Sequence, residues 1–184
     1  MAEVSDNAII LITTSFQAYN RAIDGIPANS EQVNLMVAQL FLGFYLEETI
    51  NVIISKLKKE SEVEIFNDNK PFNQCGLLNK FWWFLNSYIS QSQLRMNSKR
   101  NIDSIKNVLE LNFPGFKEIL EFRNQVSHGE FMLGLNISGV FELREKAKVI
   151  TDSLLNIVAS KEGMIIAKDH SYKVAADLYE KSNP

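Results

Sequence analysis

An arginine and a histidine lie five residues apart in the segment 122–129, which reads Phe-Arg-Asn-Gln-Val-Ser-His-Gly. At about 100° per residue, Arg123 falls in the middle of an apolar arc at helical spacing. A guanidinium on such a face is costly unless it is paired or lines a water-filled cleft. His128 is a candidate general acid or base near neutral pH, and Asn124 is placed one turn earlier to hydrogen-bond to it. These three residues form the candidate catalytic site.

A purely structural role accounts for the same residues. Arg123 would then join two helices through a carboxylate, and His128 would cap its own helix by donating to a carbonyl. Glu47 and Glu48, in the apolar middle of another predicted helix, are plausible counter-charges for the guanidinium. Both interpretations stay open on the sequence.

The helix that carries Arg123 is one of several that glycine and proline separate. A first helix is predicted from near Asp6 to about Asp24, where the segment 25–27 (Gly-Ile-Pro) stops it. Ser30 is predicted to cap a long second helix that ends near Lys59. Residues 112–115 (Asn-Phe-Pro-Gly) then break the chain before the helix that bears Arg123, which should end at Gly129.

The remaining segments complete a helical bundle. Residues 61–75 are predicted to be a connector, 77–90 a third helix and 102–111 a fourth. An apolar stripe predicts a last long helix: Val140, Leu143, Ala147, Ile150, Leu154 and Val158. Residues 161–184 are weakly specified, with a short helix predicted over 171–181. The expected fold is all-α, an antiparallel bundle of four to five main helices with short extra helices, in a single domain over 1–184.

Composition excludes several classes of function. The chain has 184 residues, 46% apolar and 22% charged, with a net charge of −3, so contact with nucleic acid requires a local basic patch. One cysteine and two histidines argue against a disulfide and against a metal centre, and no cofactor is expected. The apolar run 8–12 is too short for a signal peptide or a membrane span. We expect a cytoplasmic protein without membrane contact.

The segment Arg123-Asn124-Gln125-Val126-Ser127-His128 resembles the Arg-x4-6-His signature of the HEPN (higher eukaryotes and prokaryotes nucleotide-binding) superfamily. That superfamily is an all-α bundle with the motif late in the chain. Its active members are metal-independent endoribonucleases, often toxins or defence proteins, whose two motifs face each other across a homodimer interface. The resemblance implies that Arg123 holds the scissile phosphate and that His128 moves protons as the ribose 2′-OH attacks. Asn124 would support either group, and the products would be a 2′,3′-cyclic phosphate and a 5′-hydroxyl.

One position departs from a subgroup of that superfamily. Toxins that pair with a nucleotidyltransferase antitoxin carry a motif that resembles Arg-x4-His-x-Tyr. Here the second residue after His128, at the position of that tyrosine, is Glu130. Modification of that tyrosine is therefore excluded, although another antitoxin or protein partner stays possible. The helical layout and the late Arg-Asn-x-x-x-His also resemble the mannitol-repressor-like helical regulators, which implies the alternative of a non-catalytic module that binds a protein partner.

Two further clusters have a functional and a structural interpretation. Arg95, Lys99 and Arg100, with Lys106 nearby, form a basic group that would steer an RNA backbone, or would be only a solvated surface. Residues 81–84 (Phe-Trp-Trp-Phe) point in all directions around a helix. We expect most of them in the core and at least one at a surface that contacts a second subunit, with base stacking as the less favoured interpretation.

Overall fold

A computed structural model describes residues 6–27, 30–89, 99–130 and 134–163 of the chain. Within these ranges the chain forms seven α-helices and one turn of 3-10 helix, with no β-strand. The helices are α1 (Asp6–Ile23), α2 (Glu31–Lys56), α3 (Glu60–Phe66), α4 (Leu77–Tyr88), α5 (Lys99–Asn112), α6 (Phe116–Ser127) and α7 (Ile137–Glu162), with the 3-10 turn at Phe72–Gln74. The predicted all-α bundle is therefore confirmed.

The long helix α2 lies at the centre of the bundle and contacts α1, α4, α6 and α7. It is long and apolar enough to cross a membrane by length and composition, and 56% of its most apolar window is buried against the rest of the protein. Packing between helices therefore accounts for its apolar character. The main core lies around α2, α4, α5, α6 and α7 and includes the N-terminal part of α1, and a smaller apolar cluster joins the C-terminal part of α1 to α2 and α7.

The aromatic run of α4 belongs entirely to the core. Phe81, Trp82, Trp83 and Phe84 are all buried, so the expectation that one of them reaches a surface is wrong. Phe81 packs against Phe116, the first residue of α6, with ring centroids 4.5 Å apart. Helix α4 also contacts α2, α3, α5 and α7 and is buried along most of its length, and its aromatic run packs α6 into the bundle.

Most helix ends follow the glycine and proline signals. The first helix ends at Ile23, before Gly25 with its positive φ of 63°, and α5 ends at Asn112. Ser30 precedes α2 as predicted, but its hydroxyl donates to the Pro27 carbonyl instead of capping the helix. The predicted connector 61–75 contains α3, which is anchored by one fully buried residue, Val63. The helix predicted over 171–181 lies outside the described residues.

Candidate functional site

The start of α6 is fixed by a carboxylate from the preceding helix. Glu110 of α5 accepts hydrogen bonds from the backbone N–H groups of Gly115 (2.7 Å) and Lys117 (2.8 Å). These are donors that no residue within α6 can satisfy, and a negative charge is favourable at a helix N-terminus. Gly115 has a φ of 90°, a conformation that glycine adopts readily. The turn between α5 and α6 therefore sets the direction in which α6 crosses the bundle.

Arg123 lies at a close contact between α6 and α2. A Cβ atom built on Gly43 of α2 would lie 2.9 Å from both Cβ and Cγ of Arg123, so glycine leaves room for the arginine stem. The guanidinium carbon lies 5.9 Å from the ring centre of Phe44. The Arg123 side chain keeps 23% of its surface exposed. It therefore lies at the edge of the interior, between two helices and solvent.

The Arg123 guanidinium has two polar partners. Its Nη2 forms an ion pair with Oε2 of Glu47 at 2.5 Å, which confirms that Glu47 supplies a counter-charge. Its Nη1 donates to Oδ1 of Asn124 at 3.3 Å. Its Nε is buried and has no hydrogen-bond partner within the described part of the chain. Arg123 thus links α6 to α2 while its guanidinium extends toward Asn124.

Lys80 of α4 is a second cation on the same carboxylate. Its Nζ lies 3.6 Å from Oε1 of Glu47, and its side chain is only 3% exposed. It also lies over the ring of Phe72, 4.8 Å from the centroid. Burial lowers the pKa of Lys80, and the negative charge of Glu47 opposes that shift. Glu47 therefore lies between two cations, the partly exposed Arg123 and the buried Lys80.

Sequence reasoning missed Lys80 and Gly43. One signal for the α2 contribution is present: Gln39, Gly43, Glu47 and Asn51 place small or polar residues at every fourth position of an otherwise apolar helix. A lysine inside the apolar run of α4 is a weaker signal, because the lysine stem often packs on apolar surface while its amine reaches water.

His128 lies at the C-terminal end of α6 and is exposed. Its backbone N–H bonds to the carbonyls of Asn124 and Gln125. Within the described ranges its ring takes part in no hydrogen bond or ion pair, so the predicted bond from Asn124 and the predicted carbonyl cap are both absent there. The residue is exposed at the surface of the described part of the protein.

Other predicted positions are only partly described. Arg95 and the side chains of Lys99 and Arg100 lie outside the described part of the structure; the backbone of the latter two forms the first turn of α5. Lys106 pairs with Glu121 at 3.3 Å. Along α2, Glu48 and Asn51 help to line a shallow groove of about 390 Å³. Among described residues, no group of three or more His, Cys, Asp or Glu side chains is placed to hold a metal ion.

Comparison with protein families, with curated proteins and with solved structures gives no match for this chain. The geometry of α6 and its neighbours is therefore what constrains its function. That geometry places a guanidinium and an imidazole on the last two turns of one short helix, with a glutamate and a buried lysine behind the guanidinium.

Proposed function

We propose that this chain is a cytoplasmic, metal-independent endoribonuclease of the HEPN type that acts as a homodimer. The observation that carries the proposal is the hydrogen bond from Arg123 Nη1 to Asn124 Oδ1. Asn124 and His128 are four residues apart and therefore lie on one face of α6. The bond draws the guanidinium toward the face that ends in the exposed imidazole.

The proposed reaction needs one group that binds phosphate and one that moves protons. Arg123 would hold the non-bridging oxygens of the scissile phosphate, since a guanidinium matches phosphate geometry. As the 2′-oxygen attacks phosphorus, a base removes its proton, the P–O5′ bond breaks, and an acid protonates the leaving 5′-oxygen. In the homodimer, His128 and the second copy of the same histidine would share these two steps.

The ion pair with Glu47 sets the condition for substrate binding. A phosphate that reaches Arg123 must compete with, or lie beside, the Glu47 carboxylate at Nη2. Nη1 makes a longer bond of 3.3 Å to a neutral amide, which is a weaker partner than a charged oxygen. The phosphate would therefore bind first on the Nη1 side, next to Asn124.

His128→Ala is the decisive variant because the imidazole is exposed. Its removal should leave the free energy of unfolding within about 0.5 kcal/mol of wild type while abolishing cleavage of a labelled RNA in EDTA. Arg123→Ala should also abolish cleavage, with a loss of stability because the ion pair that joins α6 to Glu47 of α2 is lost, although Lys80 still pairs with Glu47. Ser127→Ala, a neighbouring exposed position, is the matched control and should cleave normally. Cleavage by His128→Ala at the wild-type rate would refute the proposal.

The ion pair itself favours a second candidate function. Arg123 joins α6 to α2 through Glu47, as expected of a non-catalytic helical regulator that binds a protein partner. That candidate predicts that Arg123→Ala has a lower melting temperature than wild type and that wild type does not cleave RNA. It also predicts that His128→Ala binds the protein partner as wild type does. RNA cleavage by wild type that His128→Ala abolishes would exclude it.

A further inference from the structure

The positive and negative charges of the cluster around Arg123 do not balance within the described part of the protein. Glu47 contributes one negative charge, while Arg123 and Lys80 each contribute one positive charge. Among described residues, no other carboxylate forms an ion pair with either cation. The cluster of Glu47, Lys80 and Arg123 therefore carries a net charge of +1 when all three groups are ionised.

The three charges lie at different depths. The side chains of Arg123 (23%) and Glu47 (21%) remain partly exposed, whereas that of Lys80 is 3% exposed. An anion from solvent can therefore reach Arg123 but not Lys80. The two oxygens of Glu47 are divided between the cations, with Oε2 on Arg123 and Oε1 toward Lys80.

We infer that Lys80 acts through Glu47: it cancels the charge of this carboxylate from the buried side and so leaves the charge of Arg123 free for an RNA phosphate. Without Lys80, Glu47 would neutralise Arg123, and the cluster would have no net charge to offer an anion. In a partly buried site this difference is large, because charges interact more strongly there than in water. The inference rests on the proposed function, and it assigns to Lys80 a role that requires no contact with substrate.

Binding to a non-cleavable RNA tests this role apart from catalysis. The probe is a fluorescent oligonucleotide with a 2′-O-methyl group on every ribose, which removes the attacking hydroxyl. Lys80→Met should weaken binding about tenfold. It should also reduce the slope of log K against log salt by about 0.7, the value for one lost phosphate contact on a single strand. Lys59→Met removes the same charge from a lysine that pairs with Glu62 on the surface, and it should bind as wild type does.

Rescue separates this electrostatic role from a packing role. The double variant Lys80→Met with Glu47→Gln removes both charges, leaves Arg123 uncancelled and should restore binding to within about twofold of wild type. Glu47→Gln alone should bind more tightly than wild type, because no carboxylate then competes with the phosphate for Arg123. Lys80→Gln, which removes the charge but keeps a polar side chain, carries the test if Lys80→Met does not fold. Unchanged binding by folded Lys80→Met, failure of the rescue, or binding by Glu47→Gln that is no tighter than that of wild type would each overturn the inference. If wild type does not bind the probe, the proposed function fails with it.

Discussion

Replacing Gly43 with alanine tests the close approach of α6 to α2. In a helix interior, alanine is favoured over glycine by about 1 kcal/mol, so an uncrowded site would gain stability. Here the new Cβ would lie 2.9 Å from Cβ and Cγ of Arg123. That is about 0.6 Å inside normal carbon–carbon contact, and both atoms are fixed close to the backbone of α6. Crowding of this kind typically costs about 1–3 kcal/mol, so a mid-range cost of about 2 kcal/mol exceeds the gain in helix propensity by about 1 kcal/mol.

We therefore expect Gly43→Ala to lower the free energy of unfolding by about 1 kcal/mol. This corresponds to a fall in Tm of about 2–4 °C for a chain of this size. Urea and thermal unfolding followed by circular dichroism at 222 nm measure both quantities. Gly76→Ala adds a methyl group where the new Cβ meets no atom within 4 Å; because Gly76 is the N-cap of α4, this control should lower stability by no more than about 1 kcal/mol through capping alone, without a steric contribution. A gain of about 1 kcal/mol in Gly43→Ala would refute the close contact.

Three further predictions concern stability away from the site. The buried Arg144 guanidinium lies 3.6 Å from the ring centre of Phe16, so a double-mutant cycle of Phe16→Leu and Arg144→Met should give a coupling of about 1–2 kcal/mol, and additive effects would contradict it. Burial and the bond to Glu162 raise the pKa of Tyr88, so its contribution to stability is complete below about pH 10 and is lost at higher pH. The free energy of unfolding should therefore change less between pH 8 and pH 11 in Tyr88→Phe than in wild type. The Asn136 side chain caps α7, so Asn136→Ala should cost about 1 kcal/mol by urea unfolding, whereas an unchanged midpoint would argue against the cap.

Helices could be predicted from the sequence where an apolar stripe alternates with polar residues or where glycine and proline interrupt the chain. The stripe from Val140 to Val158 predicted α7, and residues 112–115 predicted the break before α6. Helix α3 was missed because a single buried residue, Val63, anchors it, and one apolar position has no periodicity. The aromatic run of α4 misled for a related reason. Polar residues of α4, Asn79 and Lys80, are buried together with the aromatic residues, so the pattern of residue types does not show which side of the helix faces solvent.

For the candidate site, the sequence predicted those charged residues that interrupt an apolar helix face. Arg123 was recognisable by its apolar neighbours, and Glu47 because few acidic residues interrupt α2. The roles of Gly43 and Lys80 depend on which helices are adjacent. A missing side chain is informative only when the facing residue is known, and a lysine is structurally notable only when its amine is shown to be buried.

The central place of α2 has a consequence for how the chain is made. This apolar helix is complete at residue 56, but two of its neighbours, α6 and α7, begin only at residues 116 and 137. The ribosome therefore releases this long apolar helix well before α6 and α7 have been synthesised. Contacts between distant parts of a chain form only after both parts have left the ribosome. During that interval, α1 and α4 are the neighbours of α2 that have been synthesised and can cover its apolar surface.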